Sequence, residues 1–217
     1  MSRPRILVAG AGPVGLALAC ACRDFNVTLL EAAPERPAPA EAYDLRILAL
    51  SSGTRAFLRD IGAWDHLDPR RIAPVRRMEV FGGEGAKLSF SGRAGSALAW
   101  IVEAGRLTRA LEEQAASIPE LATRHGKGAA GFEADAAGVA VTLEDGERIE
   151  GDLLVGADGP DSRVRTLLGL DAEEKPYGED AIVANFEAGK EHGDCARQWF
   201  RPDGVLAWLP LPGRRIS

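Results

Sequence analysis

Apolar residues near the start of the chain form two short runs on either side of a longer stretch rich in alanine and leucine. Arg5–Ala9 (RILVA) is the continuous apolar run typical of a strand covered on both faces. Val14–Arg23 has the composition of a helix, and Val27–Leu30 (VTLL) predicts a second strand that ends at Glu31. The order of these elements predicts a parallel βαβ unit.

Short apolar segments separated by glycine and proline continue through the rest of the chain. Pro34–Pro39 is predicted as a loop, and Asp145-Gly146 predicts a type I′ hairpin turn. The strands predicted after Ala181 indicate an antiparallel sheet that opens a second lobe. The predicted helices are Ser52–Ile61, Gly105–Ile118 and residues 161–168, and the predicted strands are Met78–Phe81, Lys87–Phe90, Val139–Leu143, Arg148–Val155, Ile182–Phe186, Ala196–Phe200 and Val205–Leu209.

Composition and charge exclude several classes of function. The 217 residues are 46% hydrophobic and 27% charged, which is ordinary for a globular protein able to bury a core. The net charge is −6 and Lys and Arg form no run, so nucleic acid is not expected as a partner. Cys20, Cys22 and Cys195 lack metal-ligand spacing, and we expect no metal site and a reducing compartment.

A glycine-rich motif, Gly10-Ala11-Gly12-Pro13-Val14-Gly15, joins the first predicted strand to the first helix. Its first glycine allows the tight turn, its second lets a pyrophosphate approach the backbone, and Gly15 lets helix and strand pack closely. The helix start offers free N–H groups and a partial positive charge to phosphates. Glu31 closes the next strand, where a carboxylate can accept hydrogen bonds from a ribose, so the unit predicts binding of FAD or NAD.

A second motif runs from Gly151 to Arg165 (GDLLVGADGPDSRVR). An apolar strand delivers a small-residue turn with Asp158 at its tip, followed by a helix that carries two arginines. Asp158 could accept a hydrogen bond from a sugar or ribityl hydroxyl, or it could simply cap the helix. The end of a strand in an α/β sheet is where ligands bind.

These two motifs together resemble the class A flavoprotein monooxygenases of the para-hydroxybenzoate hydroxylase type. Within that group the chain is most similar to the aromatic hydroxylases of ubiquinone biosynthesis, including the 2-polyprenyl-6-methoxyphenol hydroxylases. The segments that support the closer resemblance are Tyr43–Leu50 with Gly62-Ala63-Trp64, Trp100–Glu103 with Arg106-Leu107, Gln198–Gly204 and Leu206–Pro212. The family's third fingerprint, a Gly-Asp-Ala-Ala-His segment, is absent, so we expect the chain to correspond to the N-terminal part of the family.

The resemblance implies an α/β fold, with a Rossmann-like FAD-binding domain, a β-meander and the beginning of an antiparallel-sheet substrate domain. It places the FAD-binding domain at residues 1–75 and 99–172, and part of the substrate domain at 76–98 and 173–217. Arg46 is expected on the isoalloxazine side and Arg106 near the pyrophosphate or ribityl chain. The predicted cofactor-binding residues are Gly10, Gly12, Pro13, Val14, Gly15, Glu31, Ala32, Arg46, Arg106, Asp158 and Gly159.

The implied function is hydroxylation of a prenylated phenolic ring with FAD, NAD(P)H and O2 in ubiquinone biosynthesis. We assign no catalytic residue, because the cofactor performs the difficult chemistry; His66, His125 and His192 are expected at the surface. The expected location is cytoplasmic, with peripheral contact at the inner membrane surface or with other ubiquinone-biosynthesis enzymes. Two alternatives stay open: a related flavin-dependent reductase or halogenase, and an FAD-binding fragment without turnover.

Overall fold

A computed structural model describes residues 3–93, 96–170 and 172–217. The chain forms two compact units, the first from Met1–Ala38 and Thr108–Glu179 and the second from Pro39–Leu107 and Asp180–Ser217. The predicted division into FAD-binding and substrate domains stays a prediction, because compactness does not reveal which ligand a unit holds. Ala94, Gly95 and Asp171, which fall inside the predicted domain ranges, lie outside the described residues.

Runs of consecutive strands separate the helices in the described part of the chain, and most elements follow the predicted pattern. The helices are α1 (Pro13–Ala21), α2 (Ser52–Asp60), α3 (Ala104–Ala116) and α4 (Arg163–Leu167), with 3-10 turns at Ala63–His66, Pro69–Arg71 and Gly83–Gly85. The strands are β1 (Arg5–Ala9), β2 (Asn26–Glu31), β3 (Ile47–Ser51), β4 (Ala73–Val75), β5 (Arg77–Phe81), β6 (Lys87–Ser91), β7 (Ala99–Glu103), β8 (Leu121–His125), β9 (Ala129–Asp135), β10 (Gly138–Leu143), β11 (Arg148–Gly151), β12 (Leu153–Gly156), β13 (Phe186–Glu187), β14 (Cys195–Arg201), β15 (Gly204–Trp208), β16 (Pro210–Leu211) and β17 (Arg215–Ile216).

The first unit is built on a parallel sheet in the order β12-β1-β2-β8. Leu7 and Val8 in β1 are buried because β1 has a partner strand on each side and is covered on both faces. The predicted βαβ unit is therefore confirmed, with α1 as its crossover. This arrangement brings the ends of β1 and β12 together beside the start of α1.

A three-stranded antiparallel meander in the order β11-β10-β9 belongs to the same unit. Its Val141 and Leu143 share a buried cluster with Leu7 and Leu30 of the parallel sheet. The single strand predicted over Arg148–Val155 is wrong, since it divides at Asp152 into β11 and β12. Asp152 leaves the meander there because its carboxylate accepts the Arg5 N–H (2.7 Å) and its own N–H donates to the Arg5 carbonyl (2.7 Å).

The hairpin between β10 and β11 also differs from its prediction. A type I′ turn needs positive φ at both central residues. Gly146 has a φ of 86°, but Asp145 is not among the described residues with positive φ. The Gly146 N–H donates to the Leu143 carbonyl (2.9 Å) and the Leu143 N–H donates to the Glu147 carbonyl (2.8 Å), which makes a three-residue loop with glycine at its left-handed position.

The second unit contains the antiparallel sheet β3-β7-β4, the small sheet β13-β17-β16 and the four-stranded sheet β15-β14-β5-β6. In the last sheet the central strands β14 and β5 run parallel, while the outer pairs are antiparallel as predicted. The strand predicted over Ile182–Phe186 is wrong except at its last residue. Ile182 is 97% exposed, so its apolar side chain gains no burial that would stabilise a strand.

None of the helices in the described ranges is long and apolar enough to cross a lipid bilayer.

Candidate functional site: a nucleotide cleft at the first helix

Gly10 and Gly15 are held by close backbone packing at the turn from β1 into α1. Gly10 has a φ of 99°, and a Cβ atom there would lie 2.3 Å from the Ala157 carbonyl oxygen. A Cβ atom at Gly15 would lie 1.9 Å from the Gly10 carbonyl oxygen. Both positions therefore require glycine for the structure of the turn, whether or not a ligand is bound.

Gly12 faces open space instead, and its lack of a side chain leaves room for a ligand. A Cβ atom there would meet nothing within 4 Å. Gly12 precedes Pro13 at the start of α1, and no side chain caps this helix end. The free N–H groups and the positive end of the helix dipole thus face a space that a methyl group would enter, which fits the pyrophosphate of a dinucleotide.

A cleft of about 380 Å³ runs alongside this turn within the first unit. Six of the predicted cofactor-binding residues line the cleft. Four of them belong to the glycine-rich turn and to the end of β2, and two belong to the second motif. The lining of the cleft also includes Arg36, Gly128, Glu144, Asp161 and Arg163, which were not among the predicted cofactor-binding residues. The predicted residues that line the cleft are Gly10, Gly12, Glu31, Ala32, Asp158 and Gly159.

The Glu31 carboxylate is already part of a hydrogen-bond network at the end of β2. Its side chain is 13% exposed. Oε2 accepts the Ala11 N–H (2.8 Å) and Oε1 accepts the Ala33 N–H (3.0 Å). Oε2 also accepts from Arg36 Nη2 (3.4 Å). Since each carboxylate oxygen has two lone-pair positions, Oε1 retains capacity for a ribose hydroxyl.

Asp158 organises the turn that follows β12. Its Oδ2 accepts the N–H groups of Arg163 (2.7 Å) and Val164 (3.1 Å), and its Oδ1 accepts the Ser162 hydroxyl. Burial alone would raise the pKa of the Asp158 carboxyl, but these hydrogen bonds together hold the pKa below its ordinary value. Asp158 thus caps α4, which begins at Arg163 and not at residue 161 as predicted, with Ser162 as the N-cap.

Arg46 and Arg106 belong to the second unit, and their predicted contacts with FAD stay predictions. The Arg46 N–H donates to Asp44 Oδ1 (2.9 Å), and its side chain is exposed. Arg106 donates from Nη2 to the Ala40 carbonyl (3.0 Å) and lies 3.0 Å from Glu103 Oε2 through Nε.

Glu103 is a buried charge that the sequence did not identify as important. It is 2% exposed, and its two oxygens accept from Arg71 Nε (2.8 Å) and Nη2 (2.7 Å). The same carboxylate accepts the Asp44 N–H (2.9 Å). The Glu103 hydrogen bond raises the pKa of the Arg71 guanidinium, so the guanidinium stays charged. The Glu103 carboxylate thus holds the segment before Arg46 against β7.

His192 does not lie at the surface as expected, since its side chain is only 10% exposed. Nδ1 accepts the Asp194 N–H (3.1 Å), which leaves the proton on Nε2. Nε2 then donates to the carbonyls of Leu211 (3.0 Å) and Gly213 (2.8 Å). The residue therefore ties together loops of the second unit.

A comparison with known protein families identifies the family of this chain. The model of the FAD binding domain matches residues 3–211. The chain belongs to this family. FAD is therefore the cofactor, and the predicted fold class is confirmed.

Two relatives that are similar to this chain carry the names of hydroxylases of ubiquinone or a ubiquinol. The chain is 32% identical to ubiquinone hydroxylase UbiL of Rhodospirillum rubrum over 98% of its own length and 50% of the relative. It is 31% identical to 3-demethoxyubiquinol 3-hydroxylase of Escherichia coli, over 95% of its own length and 54% of the relative. The chain thus spans about half the length of the relatives it matches.

A solved structure supports the fold independently. PqsL of Pseudomonas aeruginosa, in complex with 2-aminobenzoylacetate, matches with a TM-score of 0.80 and 21% identity. The match covers 98% of this chain and 59% of PqsL. At this identity the likeness establishes the shared fold.

Proposed function

We propose that this chain is the FAD-binding part of a monooxygenase that hydroxylates a prenylated phenolic ring in ubiquinone biosynthesis, using NAD(P)H and O2. The single observation that carries the proposal is the open helix start at Gly12 in a chain of the FAD binding domain family. The names of the two ubiquinone-related hydroxylases similar to this chain support the substrate class.

Each end of the cleft supplies a different part of the proposed binding site. The N–H groups of Val14 and Gly15 and the dipole of α1 would attract the pyrophosphate, and Glu31 would accept a hydrogen bond from the adenosine ribose. Ala32, Asp158 and Gly159 would border the bound cofactor. Arg46 and Arg106 are proposed to contact its flavin half. When bound, the flavin supplies hydride transfer and oxygen activation, while the protein orients it and limits access of water.

The proposed partners follow from the proposed substrate. The prenyl tail of such a substrate is dissolved in the membrane. It therefore favours peripheral contact of the whole protein with the cytoplasmic face of the inner membrane. Association with other ubiquinone-biosynthesis enzymes would shorten the path of such a substrate. A related flavin-dependent reductase or halogenase, and a fragment that binds FAD without turnover, are the competing functions.

The first test is FAD binding by the purified 217-residue chain. We expect flavin fluorescence to be quenched on titration and expect the purified chain to be yellow. A chain that stays colourless and does not quench FAD contradicts the proposed site.

The second test uses the protein encoded by the complete reading frame. We expect NAD(P)H oxidation and O2 uptake that depend on a prenylated phenol and yield a hydroxylated ring, detected by mass spectrometry. Oxidation of NAD(P)H that depends on substrate but gives no hydroxylated phenol would favour the reductase or halogenase.

A further inference from the structure

Arg36 lies in the proline-rich loop after β2 and reaches back to the glycine-rich turn. Its Nη1 donates to the Ala11 carbonyl (3.0 Å) and to Glu112 Oε1 on α3 (2.8 Å). Its Nη2 lies 3.4 Å from Glu31 Oε2. One guanidinium therefore contacts the turn, the end of β2 and α3, all within the first unit.

These contacts close a ring around Ala11, the residue between the first two glycines of the turn. Glu31 accepts the Ala11 N–H (2.8 Å), Arg36 donates to the Ala11 carbonyl (3.0 Å), and the two side chains pair with each other. Both peptide groups of Ala11 are thus held by charged partners, and hydrogen bonds to charged groups are stronger than neutral ones. Gly10 and Gly12 on either side could otherwise adopt many backbone conformations.

Charge gives Arg36 a second effect on the same site. The side chains of Glu31 and Glu112 are 13% and 16% exposed, and Arg36 pairs with both. Glu31 and Arg36 line the cleft proposed for the anionic cofactor. Without Arg36, the two partly buried carboxylates would lose their shared counter-charge, and Glu31 would repel the phosphates of the bound cofactor. A lysine would restore the charge, but its single ammonium cannot reproduce the planar fork that contacts three acceptors.

We propose that Arg36 is a positioning residue for FAD binding, which sets the conformation of the glycine-rich turn through the ring with Glu31 and Ala11 before the cofactor arrives. This inference rests on the proposed FAD site. The inference adds that the affinity for FAD depends on a side chain outside both sequence motifs.

The experiment compares Arg36→Gln and Arg36→Lys with Arg109→Gln in the full 217-residue chain. Arg109 is a matched control, because it is also an arginine beside Glu112 (3.7 Å) but pairs with Glu113 (3.0 Å) instead of the turn. The measurements are the Kd of FAD from flavin fluorescence, the thermal midpoint of the apo chain, and hydrogen exchange at the Ala11 amide in the apo chain.

We expect Arg36→Gln to raise the Kd of FAD about tenfold, the effect of losing a hydrogen bond to a charged group. Arg36→Lys should recover little of this loss, and both variants should speed exchange at Ala11. Arg109→Gln should leave the Kd and the exchange rate at wild-type values and change the thermal midpoint little, because its ion pairs are exposed.

A wild-type Kd in Arg36→Gln, or full recovery in Arg36→Lys, would overturn the proposal. If Arg36→Gln does not fold, Arg36→Lys still decides, since weaker binding in a folded chain supports the ring. If the wild-type chain binds no FAD, the proposed function is contradicted. If the wild-type chain binds FAD but hydrogen exchange at Ala11 is unchanged in the variants, only the proposed role of Arg36 is contradicted.

Discussion

Two glycines three positions apart in the same motif should respond in opposite ways to the same substitution. Gly15→Ala places a methyl group 1.9 Å from the Gly10 carbonyl oxygen, so α1 must move away from the turn. Gly12→Ala places a methyl group in open space in the chain without cofactor. We therefore expect Gly15→Ala to damage the fold and Gly12→Ala to damage FAD binding.

The magnitudes follow from overlap and helix propensity. Overpacking against fixed backbone at Gly15 costs roughly 3 kcal/mol, and the better helix propensity of alanine returns about 1 kcal/mol. The net loss of roughly 2 kcal/mol corresponds to a fall in Tm of about 4–8 °C for a chain of this size. Alanine at the N-cap position of Gly12 should cost no more than about 1 kcal/mol. Overlap of its methyl group with the pyrophosphate should weaken FAD binding about 10- to 100-fold.

Thermal unfolding of the apo chain and fluorescence titration with FAD separate the two effects. Gly131→Ala is the matched control, because its Cβ atom would also meet nothing within 4 Å and Gly131 lies in β9 outside the lining of the cleft. The control should leave both Tm and Kd near their wild-type values. The reasoning is refuted if Gly12→Ala binds FAD like the wild type, or if Gly15→Ala unfolds at the wild-type temperature.

Three further predictions concern charges and thiols. Glu103→Gln leaves the buried Arg71 without its full counter-charge and should lower the free energy of unfolding by about 3–5 kcal/mol in urea titrations; a loss under about 1 kcal/mol would contradict the network. The pKa of Asp158 is lowered in the folded chain, so its contribution is present above the unfolded pKa and is lost as the pH falls through the folded pKa. Between about pH 5 and pH 3 the free energy of unfolding should thus fall less steeply with pH in Asp158→Asn than in the wild type. Equal slopes in the two chains would argue against the hydrogen bonds that Asp158 accepts. Burial raises the pKa of Cys20 to about 11, so at pH 8 a thiol reagent should label it only after urea is added; equally fast labelling in the native chain would show that the thiol is accessible.

Local features of the sequence predicted the first βαβ unit well. The bounds of β1, α1 and β2 differ from the predicted ones by at most two residues, because apolar runs and glycine stops act over a few neighbouring positions. The same local reasoning failed where an apolar segment has no partner, as at Ile182, and where one apolar run serves two sheets, as at Asp152. Neither outcome is encoded in the spacing of apolar residues.

The sequence by itself determined that a strand, a glycine-rich turn and a helix follow one another, and that Glu31 closes the next strand. Only the tertiary structure decided what each charged group binds. Asp152 meets Arg5 across 147 positions, and Arg36 meets Glu112 across 76. Contacts of this kind depend on strand order and on the path of a loop, and both are set by the packing of the whole unit, not by the residues next in the chain.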